Sequence, residues 1–248
     1  MLHSIKQLEH FRVLGTDAEA GRVIDTYFDD GQWVVRYLII EASDWLHERE
    51  VLISPYAVSS FDWVARVIVT DLSRGQIEGS PKIDTDKPVS RQRESEYHRY
   101  YGYPEYWAPP SYWSRAAAPI VAPSTELPRP SAPGRCVSDE RKSTGDAHLR
   151  STRRVIGNHI EARDAPIGHI EDFLFDEETW AIRQAVVDTR NWLPGRHVLI
   201  PPERIRSVNW AERSVSVDLP REAIRESPAY VPDHPSRKAA PTSERTPS

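Results

Sequence analysis

Short runs of β-branched and aromatic residues, separated by turn residues, dominate residues 2–81 and 149–228. Arg22–Phe28 leads through Asp29-Asp30-Gly31-Gln32 into Trp33–Glu41. Asp-Gly between two β-rich runs predicts a hairpin, because glycine tolerates positive φ at little cost. Residues 176–179, Asp-Glu-Glu-Thr, occupy the corresponding place later in the chain without a glycine, so a different turn type is expected there. Arg49–Ser54 and Val64–Thr70 read as further strands, with counterparts at Arg196–Pro201 and Ala211–Val217. Short strands spaced by roughly ten residues predict a mainly β protein built as a small barrel or sandwich. Ser73 followed by Gln76 fits a helix capping box, and Pro220 suits the first turn of a helix, so each run of strands should close on a short helix.

The two regions are one pattern written twice. A shift of 147 aligns residues 2–81 with 149–228 without a gap and gives 26 identities. Trp33 falls on Trp180, Trp45 on Trp192, Trp63 on Trp210 and Gly21 on Gly168. The strings Val51-Leu52-Ile53 and Val198-Leu199-Ile200 also coincide. A repeat of this length means two copies of one module. At about 80 residues each copy buries only a modest core, so the copies are expected to pack together. The matched tryptophans are the expected core pairs, and Trp33→Ala or Trp180→Ala should cost about 3–5 kcal/mol. The boundaries read from the pattern are 1–83 for copy one, 84–147 for a linker, 148–230 for copy two and 231–248 for a disordered tail.

The linker changes character along its length. Residues 91–99 are polar and suit a turn or two of helix. Residues 97–113 hold eight aromatics, and residues 116–143 are rich in Pro, Ala and Ser, which predicts an extended or disordered chain. The aromatic stretch has two main readings. It packs back on a barrel, or Tyr100, Tyr101, Tyr103, Tyr106 and Trp107 form an interaction segment, since clustered Tyr and Trp are frequent binding anchors. A base-stacking platform is disfavoured by charge: residues 1–90 carry net -6 and residues 148–230 net -1, within a total of -5. Arg150, Arg153 and Arg154 are the basic exception and read as a solvated segment. Nucleic acid is therefore not expected as a partner.

The remaining chemistry is sparse. The single cysteine, Cys136, permits no disulfide within one chain and suits a reducing compartment. No apolar leader region and no membrane-length apolar run are visible, so a cytoplasmic location is expected. The nine histidines include no zinc-like spacing with cysteine, so no metal site is expected. Asp25/Asp172 and Asp29/Asp176 recur; paired carboxylates suit acid–base chemistry, but Asp also favours turns. Arg36/Arg183 and Arg49/Arg196 are expected to pair with these acids. No phosphate loop or nucleophile elbow is present, so neither an enzyme nor a bound cofactor is expected.

The order of motifs resembles the PRC-barrel family. The residues that carry it are Asp17-Ala18-Glu19-Ala20-Gly21-Arg22-Val23, Trp33 to Ile40, and Val51-Leu52-Ile53-Ser54-Pro55, repeated as 164–170, 180–183 and 198–202. Residues 100–107 also resemble the spacer of tandem proteins of this kind. The family includes the cytoplasmic barrel of the photosynthetic reaction-centre H subunit and the C-terminal domain of ribosome maturation proteins. The chain departs from it in carrying Asp-Ala where the family often has Asp-Gly. The resemblance implies two small barrels with short C-terminal helices, related by a pseudo-two-fold axis. It implies a non-catalytic scaffold that binds a protein partner, with peripheral association with a membrane complex at the inner membrane as a further implication. Alternatives are an accessory role in light-reaction electron transfer, ribosome or RNA association, and binding of a small ligand.

Overall fold

The computed structural model describes residues 1–42, 49–81, 89, 91–107, 148–189, 196–227 and 229–230. Trp45 and Trp192, the Pro/Ala/Ser-rich part of the linker and the tail from 231 lie outside them. Copy one comprises β1 (Leu2–Ser4), α1 (Ile5–Leu8), β2 (Arg12–Leu14), β3 (Glu19–Asp29), β4 (Val34–Ala42), β5 (Glu50–Ile53), β6 (Val58–Asp62), β7 (Val67–Thr70) and α2 (Arg74–Glu78). The linker contributes α3 (Arg91–Tyr101). Copy two comprises β8 (Leu149–Ser151), α4 (Thr152–Val155), β9 (His159–Glu161), β10 (Pro166–Asp176), β11 (Ile182–Asp188), β12 (His197–Ile200), β13 (Ile205–Asn209), β14 (Ser214–Val217), α5 (Arg221–Glu226) and β15 (Ala229–Tyr230).

The strands form two mixed, barrel-like sheets. One runs β5-β4-β3-β2-β7-β6 and the other β13-β14-β9-β10-β11-β12-β15. Among the described residues, only β2–β7 and β9–β14 pair in parallel. The fold is mainly β with short helices closing the strand runs. The capping box of Ser73 and Gln76 forms at α2. Pro220 sits at the N-cap of α5, one position before the helical turn expected for it, and contributes no side-chain cap.

Matched residues solve the same local problem in each copy. Gly21 and Gly168 adopt φ of 151° and 147°, and a Cβ there would lie 2.1 Å from the Glu41 carbonyl oxygen and 1.9 Å from that of Asp188. Only glycine lets the paired strands approach this closely. The hairpins differ from expectation. Gly31 is not the left-handed residue; Trp33 and Trp180 are, with φ of 56° and 58°. Each tryptophan amide donates to the carbonyl of Asp29 or Asp176 at 2.7 Å. The Asp29 and Asp176 side chains accept from two amides inside their turns. The aspartate sets the turn, so it has the same form with or without glycine.

Strands β1 and β8, too short to stand out in the sequence, are exchanged. β1 pairs with β10 of copy two, and β8 pairs with β3 of copy one. The two eleven-residue strands β3 and β10 carry β4 and β11 on one edge and serve two partners each on the other. The N-terminal part of each holds its own copy's β2 or β9, and the C-terminal part holds the strand received from the other copy. One core cluster accordingly draws residues from both copies, including Phe28, Val35, Phe173 and Trp180.

Candidate interaction surfaces

The exchange positions a set of polar residues across the joint. Bulges in β3 and β10 fall between Val23 and Asp25 and between Ile170 and Asp172. A bulge re-aims the side chain that follows it. Asp25 accepts from Ser151 Oγ at 2.5 Å, Thr152 Oγ1 at 3.2 Å and the Arg153 amide at 3.3 Å. Asp172 likewise accepts from Ser4 Oγ and, at 3.2 Å, from the Lys6 amide. Each aspartate thus holds the first turn of the short helix belonging to the other copy. Burial pushes the Asp172 carboxyl up, against the lowering effect of its hydrogen bonds. These recurring carboxylates are structural clasps; each is engaged by the other copy's serine and backbone.

Tryptophans complete the joint. Trp63 stacks on His3 with ring centroids 3.6 Å apart, and its Nε1 donates to Glu177 at 2.9 Å. His3 lies 3.0 Å from the same carboxylate, and burial lowers its pKa. The symmetric place holds Arg150 over Trp210 at 4.5 Å and 2.8 Å from Asp30. Trp33 and Trp180 meet the other copy through Phe173 and Phe61, at 6.1 and 5.4 Å. Of the expected core tryptophans, Trp180 is buried, while Trp33, Trp63 and Trp210 are half-buried and packed against the core.

The aromatic stretch is a strap on barrel one. Tyr97 is fully buried, and its hydroxyl donates to the Leu52 carbonyl at 3.0 Å and accepts from the Ser54 amide at 3.1 Å. Tyr106 donates to the buried Glu94 at 2.5 Å, and Tyr37 donates to the same oxygen at 3.2 Å. Tyr37 also meets His98 Nε2 at 2.8 Å. Arg36 lies 3.9 Å over the Tyr106 ring and donates to Gln32 at 2.6 Å. Burial pushes Tyr37 and Tyr97 well up, and Tyr101 up to about 12. Of the five candidate interaction residues, Tyr106 is buried and Tyr101 and Tyr103 pack against the core clusters. Tyr100 is exposed and Trp107 partly so. The strap, which lies in the linker beyond residue 83, packs against barrel one.

The recurring arginines also find other partners than acids. Arg49 donates to the Ser80 carbonyl at 2.8 Å, and Arg196 to that of Ser227. The histidine spacings did not bring together His169, Glu171 and Asp188, whose ligand-capable atoms lie within 4.8 Å of one another. Lys6 binds Glu171 at 2.6 Å. His169 faces Asp188 across β10 and β11, as Arg22 faces Glu41 in copy one. The matched acids Glu41 and Asp188, each opposite a basic residue, were the available signal. The trio reads as a cross-strand basic–acidic pair with a lysine bridge.

Among the described residues no helix is long and apolar enough to cross a membrane. No curated protein matches the chain. The profile of the PRC-barrel domain, a non-enzymatic domain family, matches residues 2–77 and 152–224. These segments fall within the two copies, and the chain belongs to the PRC-barrel family as a tandem member.

Proposed function

We propose that the protein is a non-catalytic scaffold that presents a rigid pair of barrels to a protein partner. The observation that carries this reading is how matched residues are used. Asp25/Asp172, Ser4/Ser151 and Trp63/Trp210 are spent on the joint, while the outer faces of the two copies have diverged. A rigid pair with unlike faces holds a partner in one orientation without paying to order its own domains. Tyr100 and Trp107, at the exposed edge of the strap, are the proposed contact on barrel one, since exposed aromatics supply anchoring area at low entropic cost.

Cross-linking the full chain in its host cells, followed by mass spectrometry, tests this reading. A protein cross-linked at the strap edge, with yield lost in the Tyr100→Ala/Trp107→Ala double variant, supports it. Absence of any protein cross-link, together with substrate turnover by the purified chain, sinks it. The light-reaction and ribosome roles rest on family likeness alone, and no residue geometry adds to them.

A further inference from the structure

One half of the joint is filled and the other is hollow. Beside Trp63 lies Phe11, with ring centroids 5.3 Å apart, and Arg66 lies 5.5 Å over the Phe11 ring. The corresponding position in copy two is Asn158, whose Oδ1 accepts from Arg213 Nε at 3.0 Å. Asparagine is smaller than phenylalanine and polar, so the space beside Trp210 stays open. It forms a cavity of about 570 Å³ lined by Arg150, Arg153, Arg154 and Arg213, with Asn158 and Trp210 among its other walls. None of its lining residues is acidic. The copy-one positions equivalent to the four arginines are His3, Lys6, Gln7 and Arg66, so the arginine cluster is particular to copy two.

We propose that this cavity is a binding site for a small anion carrying two or more phosphoryl groups. Its volume falls in the range of small-ligand pockets, about 300–1,000 Å³. Guanidinium groups present planar forks of donors that suit phosphate oxygens. Arg150 is already oriented by Asp30 at 2.8 Å and by the Trp210 face. Arg213 is oriented by the buried Asn158, and Arg153 donates to the Ile24 carbonyl at 3.4 Å. Arg150, Arg153 and Arg213 are therefore held by neighbours before a ligand arrives, which lowers the cost of binding. Asp30 offsets part of the charge, and a ligand of two or more negative charges complements the rest. A singly charged ligand would leave cations crowded together. The site is independent of the strap edge proposed for a protein partner.

Titration calorimetry of the full chain with inorganic pyrophosphate at physiological salt tests the site. Sedimentation with phosphatidylcholine vesicles, with and without cardiolipin, whose headgroup carries two phosphates, runs in parallel. Binding is expected to weaken by at least about tenfold in Arg153→Gln/Arg154→Gln, two exposed positions whose replacement leaves Tm nearly unchanged. Asn158→Phe restores the copy-one arrangement and should abolish binding with Tm equal or higher. If that variant misfolds, the arginine pair decides. Pyrophosphate binding lost in these variants assigns a soluble ligand. Vesicle capture alone, lost in the same variants, assigns the phosphate to a lipid headgroup at the same cavity. Neither pyrophosphate heat nor vesicle capture, or binding untouched by either variant, overturns the proposal.

Discussion

The half of the joint around Trp63 and the half around Trp210 share strand pairing, an aspartate clasp and a tryptophan stacked on a nitrogen-bearing side chain that meets a carboxylate, yet only one is closed. His3, Phe11 and Phe61 surround Trp63 with rings. Trp210 has Arg150 over its face and a cavity alongside. The outer faces differ as well. Tyr37 anchors the strap on barrel one, where copy two has Gln184; Tyr56, stacked on Tyr103, becomes Glu203. After duplication, what holds the copies together stayed fixed, and what faces outward or lines a void was free to diverge. The paired strands and aspartate clasps are therefore where the copies should respond alike to mutation, and the tryptophans, the cavity and the strap are where they should differ.

The largest effects should be shared. Gly21→Val and Gly168→Val each force a side chain into a strand carbonyl in the left-handed region, and each should cost about 4 kcal/mol or more in chemical denaturation. A large cost at only one site would mean that the copies are not held by the same strand contact. Next come the tryptophans, where the halves should separate. Trp63→Ala, in a filled aromatic cluster, should cost about 3–4 kcal/mol, and Trp210→Ala, beside a void, about 1–2 kcal/mol. Equal losses would refute the open–closed distinction. Asp25→Ala and Asp172→Ala each orphan the other copy's serine and backbone donors and should both cost about 2–3 kcal/mol. Tyr97→Phe removes a buried hydroxyl from the strap and should cost about 1–2 kcal/mol, with no counterpart in copy two.

The smallest effect is a pH dependence. Burial raises the Asp172 carboxyl above its ordinary value of 3.8. An acid raised on folding adds stability that is full below its unfolded value and is lost as pH rises through the folded one. Relative to Asp172→Asn, the wild type should therefore lose stability as pH rises above about 4. A difference between the two that stays flat with pH would remove burial as the cause.

Much of this architecture is legible in the chain because duplication exposes it. Matched Asp29/Asp176 marked a turn, and Gly21/Gly168 stood out as a matched pair whose reason, a close backbone approach, the structure supplies. The strand exchange was not legible. Residues 2–4 and 149–151 are too short for a period-two pattern, and the residues they pair with lie far off in the chain, Leu2 with Asp176 and Leu149 with Asp29. The strap showed as an aromatic cluster, but its packing depends on Tyr37, Leu52 and Ser54, which no local pattern links to it. The cavity follows from Phe11 becoming Asn158, one unmatched pair among many until the neighbours of Trp210 are known.

The central claim is that β1 and β8 are exchanged and bind the barrels into one unit. Hydrogen–deuterium exchange of the native full chain measures this directly. Peptides covering Leu2–Ser4 and Leu149–Ser151 should be protected as strongly as those covering β3 and β10, opening only with global unfolding. Exchange of both at the rate of an unstructured chain, while the barrels stay protected, would contradict the account.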